Sequence, residues 1–430
     1  MKDEKHILLI AYYWPPSGGA GVQRWLKMLK YLSQDNVKCT VITVDPKLAS
    51  YPILDESLVS DVPNNIRVVT TKTREPLNAY KKMTNSKESP YAGFANESNP
   101  SLLKKFARWV RANFFIPDAR KGWNKFAYRK AIEIISTEEV DTVITTSPPH
   151  STQLVGLKLK QKLNVHWIAD IRDPWTDIYY SKLFPQMKWA KKKDENYENQ
   201  VLTESDNVIV VSEEIKSLFA RKGSFSKDKI HVIPNGFDPV DFEGIELSPV
   251  PESSLKITYT GTISEQYPMD AFTNALEEVK DQITLTFVGK VAPNVIEKLQ
   301  PFSPEFKGYI PHDESLLELQ NADVLLLIIP RIENNKGILT GKLFEYLGSQ
   351  KPIILIGPPD GDAAEIVRQC QSGRIFDYHE SSQINVFFHE LIESKKKGRA
   401  LTTPLSEEIQ KYSRKNQAKL IKQLLYMVID

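Results

Sequence analysis

The sequence predicts an α/β protein made of two parallel-sheet halves, and three observations carry that expectation. Short apolar runs that read as buried strands alternate with segments of helical periodicity. Successive strands in the second half are not joined by hairpin turns, which favours parallel pairing. An acidic stretch containing proline and serine, residues 239–254, separates the two series as an interdomain crossing would. A length of 430 residues allows two or three domains. Lys and Arg total 56 against 54 Asp and Glu, a formal net charge of +2, so no nucleic acid partner is expected, although positive charge clusters locally. Cys39 and Cys370 lie far apart, without metal-ligand spacing or a disulfide framework, which points to a reducing, cytoplasmic location. The apolar run at residues 6–13 is too short and too soon broken by Pro15-Pro16 for a signal peptide, and nothing reaches the length of a membrane span.

Residues 7–11 read as a buried first strand. They lead into a loop holding Gly18, Gly19 and Gly21, after which Val22, Trp25, Leu26, Leu29 and Leu32 repeat as one helix face. Strand, glycine loop and helix together suit a phosphate, because glycine lets backbone N–H groups come close to an anion. A second strand, residues 38–44, ends at Asp45 and keeps a dinucleotide-binding reading open. Against it, Gly19-x-Gly21-x-x-Arg24 lacks the third glycine, and a tight turn without ligand is the plain alternative. Residues 51–121 break the rhythm. Within them, residues 72–100 read as loop or partly disordered chain. The basic, aromatic run at 102–116 suits a membrane surface or a hydrophobic acceptor, unless its rings pack inward behind a solvated basic face.

The strand at residues 141–146 runs into Ser147-Pro148-Pro149-His150, and the strand at 165–169 ends in Asp170-Ile171-Arg172-Asp173. Functional groups in open α/β sheets gather at the carboxyl ends of strands, so His150, Arg172 and Asp173 are candidates, and several polar clusters on one edge argue for a cleft. A helix at 186–204 opens with the basic run 188–193, a solvated face or a membrane contact. Strands at 207–211 and 230–233 close the first half.

In the second half, strands at 255–259 and Ile283–Val288 end at Gly261 and Gly289, and a buried strand at 324–329 precedes the loop holding Arg331 and Lys336. Thr340, Gly341, Lys342, Leu343, Phe344, Glu345 and Leu347 then form a short helix ahead of an apolar strand. Its N-terminus with a lysine suits a phosphate, and Glu345, one turn on, suits ribose hydroxyls. Read alone, the same residues are a surface Lys–Glu pair on an ordinary helix. An amphipathic tail from residue 405 is long enough to pack back over both halves.

The glycine loop, the mid-chain His150, the Ile233-Pro234-Asn235-Gly236 junction and Gly341-Lys342-Leu343-Phe344-Glu345-Tyr346-Leu347 together resemble GT-B glycosyltransferases, most closely the retaining family 4 group of bacterial polysaccharide and glycolipid synthesis. The resemblance covers most of the chain outside an insertion at about 72–121. It implies two Rossmann-like domains facing each other across a cleft. The acceptor-side domain would span 1–238, a linker 239–254, a nucleotide-sugar domain 255–404 and a crossover helix 405–430. It implies a hexosyltransferase acting on a saccharide or lipid-linked acceptor with no cofactor beyond the nucleotide sugar, and retention of configuration is implied by the family rather than by these residues.

By matching position, Gly18 and Gly19 would lie against donor phosphate, and His150, with Arg172 and Asp173, would face the transferred sugar. The donor would meet Gly261, Thr262, Gly289, Thr340, Gly341, Lys342, Leu343 and Glu345. Two departures stand out. Gly337 replaces the first of two glutamates common in relatives, and Thr262 and Tyr267 replace an Arg and a Lys that neutralise the leaving diphosphate. Arg331, Lys336 and Arg172 are the expected substitutes. No Asp-x-Asp run is expected near the donor, so no metal is. An NAD-dependent oxidoreductase (from Gly19, Gly21 and Asp45), a nucleotide-sugar 2-epimerase and a degenerate nucleotide-sugar-binding protein are the rival readings. Peripheral contact with the inner membrane face through 102–116 and 188–193 is a further expectation.

Overall fold

The computed structural model describes residues 4–75, 102–178, 184–223, 225–244, 254–399 and 404–427. The chain forms two units, Met1–Pro234 with Ala418–Asp430, and Asn235–Gln417. Most of the polar stretch at 72–100, and residues 245–253 of the expected linker, lie outside the described residues.

The first unit holds β1 (Lys5–Ile10), β2 (Val37–Val44), β3 (Arg67–Thr71), β4 (Thr142–Ser147), β5 (Trp167–Ile171), β6 (Asn207–Val210) and β7 (Ile230–Val232). They form one parallel sheet in the order β3-β2-β1-β4-β5-β6-β7. Buried strands alternate their side chains between two cores. Ile7 and Leu9 face Val22, Trp25 and Leu29 of the helix Ala20–Ser33, while Leu8 and Ile10 face Trp123, Ala127 and Val155. The winding reverses between β1 and β4, which is where such sheets open a crevice at their carboxyl edge.

The second unit repeats the plan with β8 (Leu255–Thr260), β9 (Ile283–Val288), β10 (Glu305–Gly308), β11 (Val324–Ile328), β12 (Ile353–Ile356) and β13 (Gly373–Phe376), ordered β10-β9-β8-β11-β12-β13 and parallel throughout. Here the reversal falls between β8 and β11. Leu325 and Leu327 of β11 pack with Leu343, Phe344 and Leu347, which fixes the helix Gly341–Ser349 on that face.

The tail departs from the single crossover helix expected for 405–430. It forms two helices, Ser406–Gln410 and Arg414–Tyr426. Between them the chain turns to pair with Phe237, whose N–H donates to Tyr412 O at 3.2 Å and whose carbonyl accepts from the Arg414 N–H at 2.8 Å. Ala418, Ile421, Leu424 and Leu425 then close the core of the first unit beside Val22, Trp25 and Leu29.

Candidate functional site

In the first unit β1, β4 and β5 are neighbours, so their carboxyl ends bring the glycine loop, His150 and the Arg172-Asp173 pair to one edge. The three glycines have different reasons to be there. Gly19 caps the helix Ala20–Ser33 at φ +104°, and a Cβ added to it would meet nothing within 4 Å, so this is the open turn. Gly18 is engaged locally: its N–H donates to Ile53 O at 3.0 Å, and a Cβ would meet Ile53 Cγ2 at 3.0 Å. At Gly21 a Cβ would stand 2.0 Å from Nη1 of Arg172, so this glycine makes room for a guanidinium.

Arg172 is oriented by carbonyls, Nε donating to Ser147 O at 2.9 Å and Nη2 to Pro148 O at 3.3 Å. Burial lowers its pKa, and Asp170 and Asp173 oppose that shift. Burial raises the Asp173 carboxyl against the pull of Arg172. The His150 ring stacks on Trp175 with centroids 4.7 Å apart and planes 15° from parallel. Burial first, then the Arg172 charge, push its pKa down to about 3, so the imidazole is neutral. Both ring nitrogens are buried without a hydrogen-bond partner among the described residues. A neutral imidazole carries one donor and one acceptor, which together match a hydroxyl group. Trp175 holds φ +32° in this loop and donates from Nε1 to Asp194 at 2.9 Å.

Behind this edge lies a feature absent from the sequence reading. Arg24, which stands where a dinucleotide fold has its third glycine, is fully buried and paired with Asp170 at 3.1 Å. It also donates to Ile233 O at 2.9 Å and Pro234 O at 2.7 Å, and Asp170 accepts from Trp25 Nε1 at 2.7 Å and Thr146 Oγ1 at 2.6 Å. The helix is thereby locked to β5 by charge where other folds use close contact. Asp45 accepts from the Lys47 N–H at 3.0 Å and so caps its own turn. Gly21 and Asp45, which motivated the oxidoreductase alternative, both have local structural roles.

In the second unit, Gly261 at φ +101° and Gly289 at φ +114° end β8 and β9, and a Cβ on Gly289 would meet Gly261 O at 2.4 Å. A Cβ on Gly261 would meet Lys342 Cε at 3.1 Å, so the glycine pair and the lysine share one small volume. Nζ of Lys342 donates to the Tyr259 hydroxyl and stands 4.4 Å from the Tyr259 ring and 5.8 Å from that of Tyr267. Burial pushes its pKa down to about 7, with Glu345 opposing. Tyr259 donates in turn to the exposed Thr262 backbone at 3.1 Å. Thus Tyr267, at one of the two positions where relatives carry a cation, lies against the ammonium of Lys342.

Thr340 and Gly341 open the helix; the Leu343 N–H turns back to Thr340 O at 3.2 Å, while the Gly341 and Lys342 N–H groups come too early for the helical bonding pattern. The Thr340 hydroxyl is buried and unpartnered among the described residues. Leu343 is wholly buried in the core, so a ligand at this turn meets its backbone alone. Glu345 is partly exposed and lies 3.1 Å from Nε2 of His312, which opens the helix His312–Gln320 and was not singled out in the sequence. Two of the expected substitutes have partners within the second unit. Arg331 stands 5.8 Å from the Tyr378 ring, and Lys336 is ion-paired with Asp360.

That last pair corrects one expectation. Asp360-Gly361-Asp362 is an Asp-x-Asp run, and Asp360 reaches Lys336, one of the residues expected to meet the donor. Asp362 begins the helix Asp362–Gln369. Among the described residues no group of three or more His, Cys, Asp or Glu gathers as a metal site.

Residues 89–241 match the family model described as Glycosyltransferase Family 4. No curated protein matches the chain in sequence. Among solved structures, the chain is similar to HepE of Anabaena in complex with UDP and glucose, with TM-score 0.62, 14% identity, and coverage of 98% of this chain and 99% of that one. A glycosyltransferase from Rickettsia africae aligns at TM-score 0.62 and 16% identity over 98% of both chains. Sucrose-phosphate synthase of Thermosynechococcus elongatus aligns at TM-score 0.60 and 14% identity over 98% of both. At these identities the likeness is one of fold.

Proposed function

We propose that this chain, a nucleotide-sugar glycosyltransferase of family 4 with a GT-B-like fold, transfers a hexosyl group to a saccharide or lipid-linked saccharide acceptor in surface polysaccharide or glycolipid synthesis, with retention of configuration. The observation that carries the donor side is Lys342. It is a partly buried ammonium held by a phenol, at a helix N-terminus, beside two glycines with positive φ. A diphosphate supplies the negative charge that this arrangement lacks.

As the sugar–phosphate bond breaks, the anomeric carbon takes on oxocarbenium character and negative charge grows on the leaving diphosphate. Lys342, the Thr340 hydroxyl and the first N–H groups of the helix are preorganised to receive it, and they take over from the Arg and Lys of other relatives. Glu345, steadied by His312, accepts from the ribose hydroxyls. His150, neutral and with neither ring nitrogen partnered among the described residues, hydrogen-bonds a hydroxyl of the transferred sugar, and Arg172 and Asp173 border it. HepE was solved with UDP and glucose, which makes UDP the first nucleotide to try.

Isothermal titration with UDP, GDP and ADP, then with their sugars, tests the donor side. One nucleotide binds, and Lys342→Ala and Glu345→Ala each weaken it. NMR of the product then gives the anomeric configuration. No binding by any nucleoside diphosphate defeats the reading, and tight donor binding without transfer to any acceptor favours a degenerate binding protein. The reaction is proposed to be metal-independent. Activity abolished by chelator and restored by a divalent ion would instead assign Asp360 and Asp362 to a metal.

A further inference from the structure

Two stretches 74 residues apart, the helix Leu102–Phe114 and the start of the helix Lys188–Glu204, are joined by Asn113. Its buried side chain donates to Pro185 O at 2.9 Å and accepts from the Met187 N–H at 2.7 Å. The clasp lines up four aromatic rings. Phe106 stacks on Trp109 at 6.1 Å, Trp109 meets Phe114 at 5.8 Å, and Phe114 meets Trp189 at 6.0 Å. The row is not a core. Phe106 and Phe114 are each 62% exposed and Trp189 is 45% exposed. Exposed rings in one row are costly in water unless something covers them.

Charge indicates the cover. Lys188, Lys192 and Lys193 are exposed and flank Trp189 on its own helix. The acidic residues of the same helix turn away from them: Asp194 accepts from Trp175, and Glu198 is buried against Thr176 and Lys222. Glu195 is the exception and pairs with Lys191 of the basic run, at 3.8 Å. Among the described residues, no helix of the protein is long and apolar enough to cross a membrane. Rings that enter the headgroup boundary beside lysines that meet phosphate are the composition of an interfacial anchor. We propose that this aromatic and basic face docks on an anionic lipid bilayer. The inference stands on the first unit alone and does not depend on the donor reading.

The test is co-sedimentation of the full chain with vesicles of phosphatidylcholine, alone or mixed with phosphatidylglycerol. The protein sediments with the mixed vesicles, and binding falls as salt rises. The triple variant Lys188→Gln, Lys192→Gln, Lys193→Gln lowers the partition roughly a hundredfold, at about fivefold per lysine. Phe106→Ser with Phe114→Ser lowers it about tenfold and leaves the salt dependence in place. Equal binding to neutral vesicles, no binding at low salt, or a triple variant that binds like the wild type overturns the proposal. So does a dimer in sedimentation velocity that Phe114→Ser abolishes, which assigns the face to a second copy. Nucleotide titration of the triple variant stays at the wild-type value, so failure here is distinct from failure of the donor reading.

Discussion

The two units wind their sheets alike and each places a glycine of nearly equal φ between its first strand and the next helix, +104° at Gly19 and +101° at Gly261, yet they treat charge in opposite ways. In the first unit the charges near the edge satisfy one another: Arg24 takes Asp170, Arg172 takes two carbonyls, and the remaining imidazole is neutral. In the second, Lys342 is held by a phenol and two ring faces, and its charge is left for something else. One edge therefore suits a ligand of hydroxyls and the other a ligand of phosphates. The fold sets where a site lies, and the local pairing of charge sets what it takes.

The largest effect that would break this contrast is on stability. Asp170→Ala leaves the Arg24 guanidinium buried and unpaired, and destabilises the first unit by about 3–5 kcal/mol, read from its denaturant midpoint. A loss below about 1 kcal/mol would mean that the pair is not shielded. In the second unit the sign reverses. Lys342→Met removes a charge that burial penalises, so the thermal midpoint rises while kcat/KM falls about a hundredfold, equivalent to about 3 kcal/mol.

The pH dependence separates stability from binding at the same lysine. The pKa of Lys342 falls from 10.5 to about 7 on folding, so the penalty is complete below pH 7 and is relieved as pH rises toward 10.5. Donor binding favours the charged form and therefore weakens, by up to tenfold per pH unit above about 7. Calorimetry in buffers of different ionisation heat detects the accompanying proton uptake, and Lys342→Arg flattens the profile. The smallest effect belongs to His150. His150→Phe lowers kcat/KM about tenfold through one lost hydrogen bond to the sugar, without moving either limb of a pH profile between 5 and 9, because the imidazole is already neutral there.

Central strands were readable because burial on both faces writes a continuous apolar run, and Ile283–Val288 and Ile353–Ile356 were placed to the residue. The strands not anticipated, Arg67–Thr71, Glu305–Gly308 and Gly373–Phe376, are all sheet edges, with three exposed positions in each of the first two and one in the third. An edge strand is half in water and carries too few apolar residues to announce itself. At the sites, glycines and charged residues at strand ends could be found by type and position. Their partners could not: Arg24 meets Asp170 across 146 residues and His312 meets Glu345 across 33, and no local pattern records either meeting.

The return of the chain's last helix to the first unit has a consequence for synthesis. Val22, Trp25 and Leu29 belong to a helix made well before the second unit, but the groove they line is closed by Ala418, Ile421 and Leu424. Emerging from the ribosome, this greasy surface stays uncovered until the second unit and the helix that follows it have been made, and a premature stop anywhere in the second unit leaves it bare. Chaperone demand during translation, rather than the strength of the finished fold, is where that arrangement makes itself felt.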